Sequence, residues 1–209
     1  MQKERGTTMI EMIGVLGVLG VLAASVYHLI DTALSQYRIS QGLVQITSLQ
    51  KNISRFYASA GNYNELEKDG IVAKLIADNV VPQNMKNGDA AIRHIFGGDV
   101  ELKNIKYQNE ISSSSTSFSI AFKELNKKEC AEMAALSWPE KDSANLLSIT
   151  VVGTGFSADQ GKKFTWPIYA SSSDNTQALP ITNGMAMEVC QSEAEKSMSA
   201  RADIIWEFR

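Results

Sequence analysis

The chain has 209 residues, room for one globular domain beyond a membrane segment. Its acids and bases are well mixed at a formal net charge of −3, which speaks against a nucleic-acid surface. Two cysteines (Cys130 and Cys190) and two histidines (His28 and His94) leave little for metal or nucleophilic chemistry.

The chain opens on a short polar head, Met1 to Gly6, which contains Lys3 and Arg5. It then turns apolar and stays nearly so to Ile30. Roughly 20 apolar residues are enough to span a bilayer as a helix. Glu11 stands near the start of that run. A charge in such a place costs about 2.5–3.5 kcal/mol in the worst cases, so it normally has a partner and a function. Cleavage after Gly6 leaves Thr7 as a new N-terminus, with an amine of pKa about 7.7–8.0. Glu11 would then lie one helical turn away, placed to neutralise that amine in its own chain or in a neighbour packed beside it. Two plainer readings are an ordinary secretory signal cut near Ala23-Ala24-Ser25 and a simple signal anchor. Neither accounts for Glu11, and the helical pattern runs past both boundaries.

Lys3 and Arg5 would hold the leader in the cytoplasm, with the bulk of the chain outside. Cys130 and Cys190 then both fall in the outer part, where an oxidising compartment makes a disulfide between them the natural reading. Two unpaired buried thiols are the alternative.

Gly6-Thr7-Thr8-Met9-Ile10-Glu11 followed by the apolar run resembles the class III signal of type IV prepilins and pseudopilins. The resemblance implies that a prepilin peptidase cuts between Gly6 and Thr7 and methylates the Thr7 amine. It also makes Glu11 the family's glutamate, the residue that meets the Thr7 amine of an adjacent subunit during assembly. Thr7 departs from the phenylalanine that many type IVa pilins carry there.

Beyond Asp31 the sequence becomes amphipathic. Leu34, Tyr37, Leu43, Ile46, Leu49, Ile53, Phe56 and Tyr57 recur at three- and four-residue intervals, and no proline occurs before Pro82. That predicts a helix from about Thr8 to Ala60 whose second half has one core-facing stripe. Gly14, Gly17, Gly20 and Gly42 read as positions of close helix packing or local melting, or as ordinary membrane tolerance. Gly61-Asn62 suits a helix stop. A short helix is predicted from Lys68 to Asp78, then an irregular stretch from Pro82 to Asp99. Strands are expected at Val100–Lys103 with Ile105–Tyr107, and at Phe118–Phe122, after an exposed Ser112–Thr116 loop. Asn126 with Glu129 opens a helix over Lys127–Leu136 that carries Cys130. Strands follow at Leu147–Val152 and Phe164–Ala170, then a Cys190-bearing helix over Met185–Lys196. A terminal strand alternates Ile204, Trp206 and Phe208 with Asp203, Ile205 and Glu207.

This order resembles the type IVb pilins, the group containing toxin-coregulated and bundle-forming pilins. Gly61-Asn62-Tyr63 after the long helix, Phe96-Gly97-Gly98 before a strand, and the second cysteine near the C-terminus carry that likeness. The six-residue leader is shorter than is typical of that group. The resemblance implies an α+β type IV pilin fold: a long N-terminal helix packed by its second half on an antiparallel sheet, with a disulfide-bounded C-terminal region. The expected divisions are a leader over 1–6, a transmembrane or filament-core half-helix over 7–30, an amphipathic half-helix over 31–60, and a globular head over 61–209.

Catalytic arrangements are missing from the sequence. His94 has no acid and nucleophile beside it, no Cys/His set has metal-ligand spacing, and the Gly153-Thr154-Gly155 and Gly97-Gly98 turns lack the lysine of a phosphate loop. No cofactor, metal or enzymatic activity is expected. The aromatic run Phe164–Tyr169 reads as an edge strand, or as a contact ridge. By resemblance, the expected function is a pilin held in the bacterial inner membrane and then polymerised into an extracellular filament. Its partners would be copies of itself, a prepilin peptidase, an assembly platform, an ATPase and an outer-membrane secretin. A pseudopilin of type II secretion, a minor pilin and a membrane-anchored protein that never polymerises are the alternatives.

Overall fold

The structure, a computed structural model, describes residues 9–106, 115–136, 145–165 and 176–209. It divides into two compact units, Met1–Arg38 and Ile39–Arg209. Gly6, Thr7, the loop at 112–114, and the 166–170 part of the aromatic run lie outside the described residues, as does the side chain of His28.

Helix α1 runs Met9–Tyr57. It stops three residues before the expected Ala60, because Ala60 and Gly61 donate back to the Tyr57 carbonyl (3.0 and 3.1 Å) and Gly61 takes φ +66°. That left-handed turn is a glycine conformation and satisfies a terminal carbonyl of the helix. In the second unit Ile46, Leu49, Ile53 and Tyr57 are buried, at the spacing that places them on one face. They join the core that Phe118, Phe122, Trp206 and Phe208 supply from the sheet.

A 3-10 turn, Asn64–Glu67, precedes α2 (Ile71–Ala77). The helix is shorter than expected because Gly70 enters it at φ +79°. The stretch read as irregular contains order after all: a 3-10 turn at Gln83–Met85 and a two-stranded antiparallel ladder of β1 (Lys86–Asn87) and β2 (Ala91–Ile92). Pairs this short offer no alternation for a sequence reading to detect.

The main sheet comprises β3 (Val100–Ile105), β4 (Ser117–Leu125), β5 (Leu146–Gly153), β6 (Lys162–Thr165), β7 (Thr176–Ala178) and β8 (Ala202–Phe208). Their order is β3-β4-β8-β5-β6-β7. All pairings are antiparallel except β6 with β7, which is parallel and breaks the expected uniform sheet at one edge. The terminal strand β8 is inserted between β4 and β5, in the middle of the sheet. Helices α3 (Lys127–Ala134) and α4 (Asn183–Lys196) pack on each other and on β5 and β8.

The register sorts the side chains by face. Phe118 pairs with Phe208, Ile120 with Trp206 and Phe122 with Ile204, which puts these residues on the core side. Ser119 opposite Glu207 and Ala121 opposite Ile205 point to the other side. Between Phe122 and Leu125 the β4–β8 register shifts, at a bulge where Glu124 takes φ +60°.

Candidate functional site

Glu11 lies in the first described turn of α1 and is exposed. A carboxylate there is favoured by the positive end of the helix dipole. Around and beyond it Met12, Leu16, Leu19 and Leu22 are all more than half exposed. The helix is long and apolar enough to cross a membrane, and none of its apolar window is buried. The glycines separate into two kinds. A Cβ on Gly14, Gly17 or Gly20 would meet nothing, whereas one on Gly42 would press on Met133 Sδ at 3.0 Å and the Phe96 ring at 3.1 Å. Gly42 is thus a packing position within the head. Contacts among the described residues give no reason for the other three.

Cys130 and Cys190 are bonded, with Cα atoms 5.9 Å apart, and both are fully buried. Local sequence positions each one. Asn126 accepts from Glu129 N at 2.9 Å while Glu129 returns a bond to Asn126 N at 3.0 Å, which starts α3 one turn before Cys130. Thr182 caps α4 through Met185 N, and Cys190 follows two turns later. Outside the disulfide, Lys127 reaches Glu195 at 3.2 Å across the same helix pair. Gln191 and Lys127 hold the Glu195 carboxyl below its usual range.

The sheet carries a polar network that sequence reading missed. Asp203 is fully buried and accepts from Lys123 Nζ (3.0 Å), Glu124 N (2.9 Å) and Thr154 Oγ1 (2.6 Å). Glu207 accepts from Ser148 Oγ (2.6 Å) and Lys163 Nζ (2.8 Å). Burial alone would lower the Lys123 pKa; hydrogen bonding and attraction to Asp203, helped by Glu101, outweigh it and raise it. The alternation of β8 was visible, but a strand with Asp and Glu on one face reads as solvated. Only the partners on β4, β5 and β6 show why those acids are buried.

His94 is a fixture of the fold. Its Nε2 donates to the Lys123 carbonyl at 2.8 Å, its Nδ1 accepts from Phe96 N at 3.2 Å, and its ring stacks on Phe122 with centroids 4.7 Å apart. Burial pushes its pKa below the ordinary value. Gly98 permits the arrangement, since a Cβ there would collide with the Lys123 carbonyl oxygen and lie 2.6 Å from Nε2. Gln45 and Asn52 anchor α1 to the following segment. Gln45 Oε1 accepts from Ile95 N at 2.9 Å, and Asn52 donates to the Val80 carbonyl at 2.8 Å.

No curated protein matches the chain. Among solved structures it resembles TcpA, a type IV pilin from Vibrio cholerae El Tor biotype, with a TM-score of 0.53 at 17% identity over 82% of this chain and 98% of that one. A likeness at that identity is one of fold. A type IV b pilin from Salmonella typhi aligns at a TM-score of 0.46 and 12% identity, over 81% of this chain and 97% of that one. The family profile described as Bundlin matches residues 32–209. That match covers the amphipathic part of α1 and the whole head, so the chain belongs to the Bundlin family of type IV pilins.

Proposed function

We propose that this chain is a prepilin cut between Gly6 and Thr7, methylated on the Thr7 amine, and polymerised through α1 into an extracellular filament. Before assembly the apolar half of the helix lies in the bacterial inner membrane with the leader in the cytoplasm. During assembly Glu11 meets the Thr7 amine of an adjacent copy. A prepilin peptidase, an assembly platform, a cytoplasmic ATPase and an outer-membrane secretin serve the process.

One observation carries this reading. A pilin-like head follows a helix whose unburied apolar stretch bears a single carboxylate, Glu11, in its first turn. Apolar surface of that extent needs lipid or other copies of itself to cover it. A carboxylate within it needs a cation, and in membrane or filament core a processed amine can supply one.

The test has two parts. Intact mass from a bacterial envelope fraction should show a chain beginning at Thr7 with one added methyl group. Glu11→Ala should leave membrane insertion intact yet reduce protein in the sheared filament fraction by at least about tenfold. A loss of 1.4 kcal/mol per docking step already amounts to that factor. A start near Ser25, an intact Met1 in the mature protein, or undiminished filaments from Glu11→Ala would overturn the proposal. Processing without long filaments built mainly of this chain would favour a pseudopilin or minor pilin.

A further inference from the structure

The turn over residues 94–98 is fastened to helix α1 by two contacts. Ile95 N donates to Gln45 Oε1 at 2.9 Å, and the Phe96 ring lies over Gly42, where a Cβ would come within 3.1 Å of it. Within the turn, His94 N donates to the Gly98 carbonyl at 3.0 Å and Gly97 N to the His94 carbonyl at 2.9 Å. The remaining bond runs from Phe96 N to His94 Nδ1, at 3.2 Å. Of these it alone requires that a ring nitrogen carry no proton. The ring itself is fixed. It is buried, Nε2 donates to the Lys123 carbonyl at 2.8 Å, one face stacks on Phe122, and the Gly98 backbone lies close to Nε2.

The charged groups around the ring leave that bond in control. Asp99 and Asp203 favour a proton on His94, and Arg93 opposes it. Asp203 already accepts from Lys123 at 3.0 Å, Glu101 lies 3.4 Å from the same Lys123 Nζ, and Arg93 stands 3.9 Å from Asp99. Gly42 and Gln45, which α1 brings to the turn, are uncharged, as are Phe122 from β4 and Met133 from α3. Burial outweighs the two carboxylates and keeps the imidazole neutral at pH 7.

We propose that the 94–98 turn is an acid-operated latch on α1. A proton arriving at Nδ1 sets one N–H against the N–H of Phe96, with no room for the ring to turn away. The turn then opens, drawing Phe96 off Gly42 and Ile95 off Gln45, while the sheet stays folded. Acid thereby uncovers a stretch of helix that is covered at neutral pH. In the open turn the ring regains its ordinary pKa of about 6.5. The closed form is therefore fully favoured above that value, and its advantage is lost as pH falls from there towards the lower pKa of the closed form. The latch depends on the head alone and holds whether or not copies assemble.

Amide hydrogen exchange on the full chain in detergent, referenced to the intrinsic exchange rate at each pH, tests the latch. Between pH 7 and pH 5 the protection of the Ile95 and Phe96 amides should fall by at least about fivefold. Ile120 in β4 and Ile205 in β8 should keep theirs within about twofold, because a local opening leaves the sheet closed. The His94 ring, followed by NMR in the same samples, should take up its proton with the midpoint of that fall. His94→Gln keeps a donor and an acceptor without a titrating group, so the pH step at Ile95 and Phe96 should vanish. Unchanged protection at these two amides, an equal fall in the sheet, or a His94 midpoint apart from that of the exchange overturns the proposal. So does a pH step that survives in folded His94→Gln. If that variant fails to fold, the wild-type ring titration and exchange profile still decide.

Discussion

His94 is held by one acceptor and one donor, and that pairing selects its neutral form. Nε2 faces the Lys123 carbonyl and must carry a proton, while Nδ1 faces the Phe96 N–H and must not. Protonating Nδ1 would set two donors against each other in a buried site, so burial and geometry both oppose the charged state. The folded pKa is therefore below the ordinary 6.5. In the pH window just below 6.5 the unfolded chain binds a proton that the folded chain refuses. Stability is fully present above that value and is lost as pH falls through it, with a slope approaching about 1.4 kcal/mol per pH unit. Thermal melts of the full chain in detergent between pH 7 and pH 5 should show the fall, and His94→Gln should flatten it. An equal slope in the variant would place the acid sensitivity elsewhere.

At the scale of elements, the disulfide joins two helices that are already well specified. Each has its own side-chain cap, and the pair adds the Lys127–Glu195 bridge. The cysteines are 60 residues apart in sequence, so the bond excludes many open conformations of the unfolded chain. The chain-entropy argument puts that contribution at about 4 kcal/mol. Paired Cys130→Ala and Cys190→Ala replacements should lower the unfolding free energy by about that amount, as read in urea titrations. A loss under ~1 kcal/mol would mean that the caps and helix packing hold the region without the bond. The sheet shows the same layering of local and distant causes. The period-two pattern of β4 and β8 is local, whereas the bulge at Glu124 is fixed by Asp203 on the neighbouring strand, which accepts the Glu124 N–H.

Across the whole molecule, the chain forms two units, with Glu11 in the first and the core in the second. An exposed carboxylate outside the head makes no contribution to the head's packing. Glu11→Ala should therefore leave the head's unfolding free energy unchanged within ~0.5 kcal/mol, while filament yield collapses. Near-UV circular dichroism of the detergent-solubilised protein would follow the melt. A destabilised head in that variant would contradict the separation of assembly from folding.

Much of the architecture was written locally. The apolar run with Glu11, the capping signal at Asn126, the glycine at the end of α1 and the alternation of β4 and β8 all depend on residues a few positions apart, and such interactions survive in any one-dimensional reading. What the tertiary structure decided was which neighbours each strand and charge would have. Strand β8 comes last in sequence yet lies at the centre of the sheet, so Asp203 and Glu207 are buried against Lys123 and Lys163 from strands far away in the chain. The parallel pairing of β6 with β7, the service of His94 to a backbone carbonyl, and the contact of Gly42 with Phe96 and Met133 have the same origin. Each depends on non-local proximity, which periodicity and composition do not encode.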